Sequence, residues 1–122
     1  MKRLVLSAVI TILAGTAPAF AGGDVEAGKV VFKKCAVCHA VEAGKNKIGP
    51  SMWGVVGRKS AAIEGFNYST AMTAANKTWD DPTLHGYLEA PAKMVAGTKM
   101  AFPGLKVEKD RDDVIAYLAT LK

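Results

Sequence analysis

The chain has 122 residues, half of them hydrophobic, and a formal net charge of +5 at pH 7. So short a chain makes one domain with a thin core, since small domains bury the smallest share of their surface. A charge excess this modest, with no binding motif beside it, excludes nucleic acid as a partner.

The first element is not part of the working domain. Lys2 and Arg3 make a positive start, Leu4 to Ala14 is an apolar run, Pro18 breaks any helix, and "AFA" at 19–21 reads as a cleavage signal. A helix needs about 20 apolar residues to cross a bilayer, so an uncleaved anchor is the poorer reading. The expectation is a signal peptide over residues 1–21, export to the periplasm, and a domain over residues 22–122.

"GDVEAGKVVFKKCAVCH" reads as an amphipathic helix capped by Asp24, with Glu26 at its positive end and Lys33 and Lys34 in its last turn. Val25, Gly28, Phe32 and Cys35 share its apolar face, and a glycine there implies another backbone close by. "DPTLHGYLEAP" predicts a shorter helix, with Asp81 as cap, Leu84, Tyr87 and Leu88 on one face, and Pro91 as its stop. His85 falls off that face and is expected to look into solvent. "VEKDRDDVIAYLATLK" predicts the last helix, with Val114, Tyr117, Leu118 and Leu121 as its stripe. Between these helices, residues 40–68 and 91–106 show no strand alternation and many Gly and Pro. Loops that long suit a compact domain when they wrap a functional group. The fold class is all-α, three main helices with long loops around something large.

Cys35 and Cys38 are the only cysteines, and His39 follows the second directly. Closing so short a loop, a disulfide would restrain the unfolded chain very little. A thiol–disulfide redox centre expects a βαβ setting that the chain lacks. Zinc wants four ligands, and only His85 remains among the good nitrogen and sulfur donors. Covalent haem c uses all three residues: two thioethers from Cys35 and Cys38, and the His39 imidazole on the iron.

A filled sixth position on the iron means electron transfer, and an open one means ligand binding or catalysis. Met52, Met72, Met94, Met100 and His85 are the candidates. Met100 lies in "AGTKMAFPGLK", a loop bounded by Gly and Pro and far along the chain from His39, and it is the preferred ligand. The others read as flexible core fillers or, for His85, a surface residue.

With "GDVEAGKVVFKKCAVCH", "VEAGKNKIGP", "VGRKSAAIEGFNYS", "YLEAPAKMVAGTKMAFPG" and "RDDVIAYL", the chain resembles the class I cytochromes c, of the short mitochondrial and bacterial c2 group. That resemblance covers nearly all of residues 22–122. It implies the cytochrome c fold around one covalent haem, His39 and Met100 as axial ligands, and Pro50 as the carbonyl that orients His39. It also implies Arg58, Tyr68 and Trp79 at one haem propionate, Tyr87 near the Met100 sulfur, and Thr98 by the other propionate. On the residues alone, Arg58 reads better as a surface charge, and Tyr68 and Trp79 as core aromatics; the resemblance reverses that preference. Gly28 and Phe32 would cross Val114 and Tyr117. Asn46, Met72 and Ala96 depart from the commoner residues of the family.

The function implied is a soluble, monomeric, periplasmic one-electron carrier that is not an enzyme and meets membranes only peripherally. Its partners would be redox proteins with acidic faces: a quinol–cytochrome c reductase, a terminal oxidase, a reaction centre or a periplasmic dehydrogenase. Lys33, Lys34, Lys45, Lys47, Lys93, Lys99 and Lys106 lie near segments expected around the exposed haem edge and would steer such partners in. The competing class is a haem enzyme or gas binder with an open sixth site, favoured only by a looser loop at Ala96.

Overall fold

The computed structural model describes Gly15 and residues 22–122; the remainder of the expected signal segment lies outside the described residues. Asp24 opens α1 (Val25–Val31), its carboxylate accepting from the Ala27 N–H at 2.7 Å. The helix is shorter than its pattern suggests. It tightens into a 3₁₀ turn at Phe32–Lys34, with Cys35 N–H on the Phe32 carbonyl at 2.8 Å and Cys38 N–H on Cys35 at 3.0 Å. Such i→i+3 bonds wind the chain more tightly just before it leaves for the next loop.

A second helix, α2 (Thr70–Ala75), has no counterpart in the sequence reading. The Ser69 hydroxyl caps it by accepting from the Met72 N–H at 2.9 Å, and Asn76 ends it in the left-handed region at φ 47°. Helix α3 (Asp81–Glu89) is capped by Asp80 rather than Asp81. Asp80 has the extended backbone a cap needs, and its side chain accepts from Thr83 N–H at 2.9 Å, whereas Asp81 is already helical. Nor does Pro91 act as the stop. Ala90 breaks the helix at φ −154°, and Pro91 opens a short α4 (Pro91–Met94), where its missing N–H costs nothing.

The last helix, α5 (Glu108–Leu118), crosses α1 at Gly28. A Cβ on Gly28 would run into the Asp113 carbonyl and sit 2.9 Å from the Tyr117 Cβ, so only glycine permits this approach. Phe32 meets Tyr117 edge-on at 5.4 Å between ring centres. The buried face of α5 is wider than the expected stripe, taking in Asp113, Ile115 and Ala116, because α1 packs on one side and α3 on another.

Two polar ties reinforce this frame. The Asp113 carboxylate accepts from the Asp24 N–H at 2.8 Å and from Lys109 Nζ at 2.8 and 3.0 Å, joining the start of α1 to α5. His85 is not a solvent-facing residue: its Nε2 lies 3.0 Å from Asp112 Oδ1 on α5 and 3.7 Å from Asp81 Oδ1. The apolar face of α3 covers only part of the helix, and α5 runs past another part. Among the described residues there is no strand, only an isolated antiparallel bridge between Lys59 and Thr78. The architecture is all-α.

Candidate functional site

Cys35 and Cys38 sit half-buried on consecutive turns after α1, both as free thiols. Burial pushes the Cys35 thiol up, against the pull of Lys34, with Cys38 adding to the rise. That shift runs against the lowered value that activates a redox thiol. No group of three His, Cys, Asp or Glu able to hold a metal ion assembles among the described residues, which leaves zinc without a donor set.

His39 is held from two sides. Its N–H bonds the Cys35 carbonyl at 2.9 Å, and its ring presses on Gly49, where a Cβ would enter the imidazole. Nδ1 lies 2.7 Å from the Pro50 carbonyl oxygen. A carbonyl only accepts, so Nδ1 carries the proton and Nε2 keeps a free lone pair. Burial, opposed by that hydrogen bond and helped by Arg58 and Lys47, holds the ring below its ordinary value. The imidazole is neutral, the form that ligates a metal. Gly49 is a site residue that the sequence reading passed over, although its place between His39 and Pro50 in "IGP" was a signal.

Met100 occupies the loop after α4. Thr98 N–H bonds the Val95 carbonyl at 3.0 Å, and Met100 N–H bonds Thr98 Oγ1 at 3.2 Å. The buried Tyr87 hydroxyl lies 3.9 Å from the Met100 sulfur, and burial pushes that phenol up, with Thr98 opposing. Burial does not single out Met100, because Met52, Met72 and Met94 pack half-buried against the same core. Its setting does: no other methionine thioether receives a hydroxyl among the described contacts.

Trp79 is buried and tilts against Tyr87 at 4.7 Å between ring centres, while its backbone N–H donates to the Arg58 carbonyl at 2.9 Å. Arg58 is not a solvated charge. Its Nη1 donates to the Ser51 and Trp53 carbonyls, both at 3.0 Å, while its Nε is buried with no partner. Burial lowers the guanidinium and nearby Tyr68 partly restores it. The Tyr68 hydroxyl accepts from Ile63 N–H at 3.2 Å. These residues fit haem c: two thiols three residues apart, a neutral imidazole with a free Nε2, a thioether, and an orphaned guanidinium N–H of the kind a propionate satisfies.

The three departures behave differently. Asn46 Oδ1 accepts from Ser51 N–H at 3.0 Å, so its loop is tied down without a histidine. Met72 lies on α2 against the core. Ala96 is exposed, and beside it Gly97, at φ 94°, leaves only 3.3 Å between a would-be Cβ and Ala71. Of the seven lysines, Lys47, Lys99 and Lys106 place Nζ on the carbonyls of Ala36, Asn67 and Glu89 at 2.7, 3.3 and 2.7 Å. Lys45 reaches Glu42 at 3.9 Å on the surface, and Lys33, Lys34 and Lys93 are exposed.

The Cytochrome c family profile matches residues 25–122. Cytochrome c2 of Rhodomicrobium vannielii is 48% identical over 121 residues, covering 98% of this chain and 97% of that protein. Cytochrome c of Gibberella zeae is 53% identical over 100 residues, covering 80% of this chain and 94% of its own. The structure of cytochrome cH from Methylobacterium extorquens superposes with a TM-score of 0.77 at 44% identity, covering 80% of this chain and 99% of that one. With the sequence motif, the helical frame and the match along the whole described domain in agreement, the chain belongs to the cytochrome c family.

Proposed function

We propose that the protein is a soluble periplasmic electron carrier, cleaved after Ala21, whose domain of residues 22–122 holds one haem c through Cys35 and Cys38. When bound, the haem supplies a single-electron iron couple. His39 would hold the iron through Nε2, its tautomer set by Pro50 and its ring placed by Gly49. Met100 would supply the second protein ligand, and a neutral thioether there would favour the reduced iron and raise the potential. Arg58, with Tyr68 and Trp79, would meet one propionate, and Thr98 would serve the other while holding the Met100 loop. With His39 and Met100 both engaged, the iron would offer no place to a substrate, so the protein would carry electrons and do no bond chemistry. The exposed lysines steer it to acidic redox partners such as a quinol–cytochrome c reductase, a terminal oxidase, a reaction centre or a periplasmic dehydrogenase. It works as a monomer with brief encounters at the membrane.

The observation that carries this reading is the pairing of a pre-oriented neutral His39 with a Met100 whose sulfur faces the Tyr87 hydroxyl. The test is an optical spectrum of the purified holo-protein, oxidised and reduced, then exposed to carbon monoxide. A low-spin c-type spectrum with the far-red sulfur-to-iron band and no response to carbon monoxide is expected. A missing band with prompt carbon monoxide binding would overturn the carrier in favour of a gas-binding or peroxidatic protein.

A further inference from the structure

Tyr87, whose hydroxyl stands 3.9 Å from the Met100 sulfur, follows a weak point of α3. Its neighbour is Gly86, and glycine inside a helix costs about 1 kcal/mol against alanine. Where a Cβ would stand on Gly86, the Met94 side chain brings its methyl to 2.8 Å, a flexible filler rather than a rigid wall. This stretch of α3 therefore takes its place from contacts with other elements, one on each side of Tyr87. After it, the Leu88 carbonyl accepts from Leu105 N–H at 2.7 Å, and the Leu105 carbonyl accepts from Arg111 Nη1 at 2.7 Å. Before it, His85 Nε2 meets Asp112 Oδ1 at 3.0 Å, with Asp81 Oδ1 at 3.7 Å. Both oxygens are carboxylate acceptors, so Nε2 carries a proton and donates. That is the reverse of His39, whose Nε2 is left free.

Arg111 and Asp112 are consecutive residues of α5, and α5 is itself fixed on α1 where Gly28 meets Asp113. One firmly held turn thus grips α3 on both sides of Tyr87. The later grip passes through the Leu105 backbone, while the earlier one is a single side-chain contact, His85 to Asp112. We propose that His85 is a positioning residue for Met100: through Asp112 it sets where Tyr87 stands, and through Tyr87 it holds the sulfur in place. This rests on the carrier reading of Met100 and adds to it a link from the α1–α5 frame to the thioether. Without His85, α3 can give at Gly86 and the Tyr87 hydroxyl can drift from the sulfur. Met100 then yields more readily to a competing ligand. The core keeps its stability, because the His85 and Asp112 side chains are 23% and 28% exposed and their contact is worth little to the fold as a whole.

The test titrates imidazole into the oxidised holo-protein, where it competes with Met100 for the iron, and follows the loss of the far-red sulfur band. His85→Ala should bind imidazole about threefold more tightly, the factor that a partly exposed ion pair provides. His85→Gln keeps an N–H donor at similar reach and should recover most of the wild-type resistance. Asp112→Ala should match His85→Ala, and the double variant should be no worse than either, because both remove one contact. An imidazole affinity that His85→Ala leaves unchanged, even with a lower urea midpoint, would make His85 a structural contact only and overturn the proposal. So would a Gln variant as weak as Ala, or two effects that simply add. A wild type without the sulfur band that binds carbon monoxide promptly would overturn the carrier reading, and this inference with it; a wild type with the band and unresponsive variants would overturn this inference alone.

Discussion

The crossing of α1 with α5 and the loop that carries Met100 are held by opposite means. At the crossing, backbone meets backbone at Gly28 and Asp113, rings meet at Phe32 and Tyr117, and Val114 and Ile115 are each 1% exposed. Full burial of each such side chain contributes about 1.5–3 kcal/mol. In the loop, Met100 stays half-buried, and single bonds from Thr98 N–H, Met100 N–H and Lys99 Nζ hold the backbone. The crossing is built from direct contacts between two helices, whereas the loop is held by isolated hydrogen bonds.

That difference is open to experiment. The largest effect should come from Cys35→Ala/Cys38→Ala, which on the proposed reading removes haem attachment; far-UV circular dichroism is expected to show most helix lost. Native helix content in that variant would show that the crossing folds without the haem and that only the loop depends on it. Next is Gly28→Val. The helices must part to admit the new side chain, and urea unfolding of the holo-protein should show a loss of about 3 kcal/mol or more. An unchanged midpoint would mean that the close approach at Asp113 is dispensable.

Asp113→Asn should lower the melting temperature less than Gly28→Val does, and it carries a pH signature. The Asp24 N–H, and then Lys109, hold the Asp113 carboxyl below its ordinary 3.8. A group depressed by folding stabilises fully above its unfolded value and loses that effect as pH falls through the folded one. Stability of the wild type should therefore fall below pH 3.8 with a component that the Asn variant lacks. Identical acid profiles would remove Asp113 from the account.

Thr98→Val breaks the bond to Met100 N–H and should cost no more than about 1 kcal/mol globally. Its readout is local: faster carbon monoxide binding and a weaker sulfur band, with the urea midpoint nearly still. A large drop in the midpoint would show that the loop belongs to the same cooperative unit as the crossing. The smallest change should come from His85→Ala, below about 1 kcal/mol, since the contact with Asp112 is partly solvated.

Local rules carried some features straight from the sequence. Asp24 caps α1 because the side chain and the N–H it reaches are three residues apart, and Gly28 announced a close backbone because nothing else explains glycine on an apolar helix face. The cap of α3 was misplaced by one residue because Asp80 and Asp81 are chemically equal, and only the backbone angle at Asp80 decides between them. Helix α2 escaped notice because six residues give too little pattern to register. His85 was misassigned because the helix that meets it lies far along the chain.

By itself, the sequence determined the chemistry: two thiols and an imidazole at fixed spacing, a methionine in a Gly–Pro loop, and helices whose apolar faces repeat every three to four residues. Those depend on covalent order and local geometry. Tertiary structure alone decided that Gly49 presses on the His39 ring, that Arg58 keeps an unpaired N–H inside, and that Asp113 ties the two ends together. Each joins residues from different segments, and the cost of burying polar groups acts only once those segments have met.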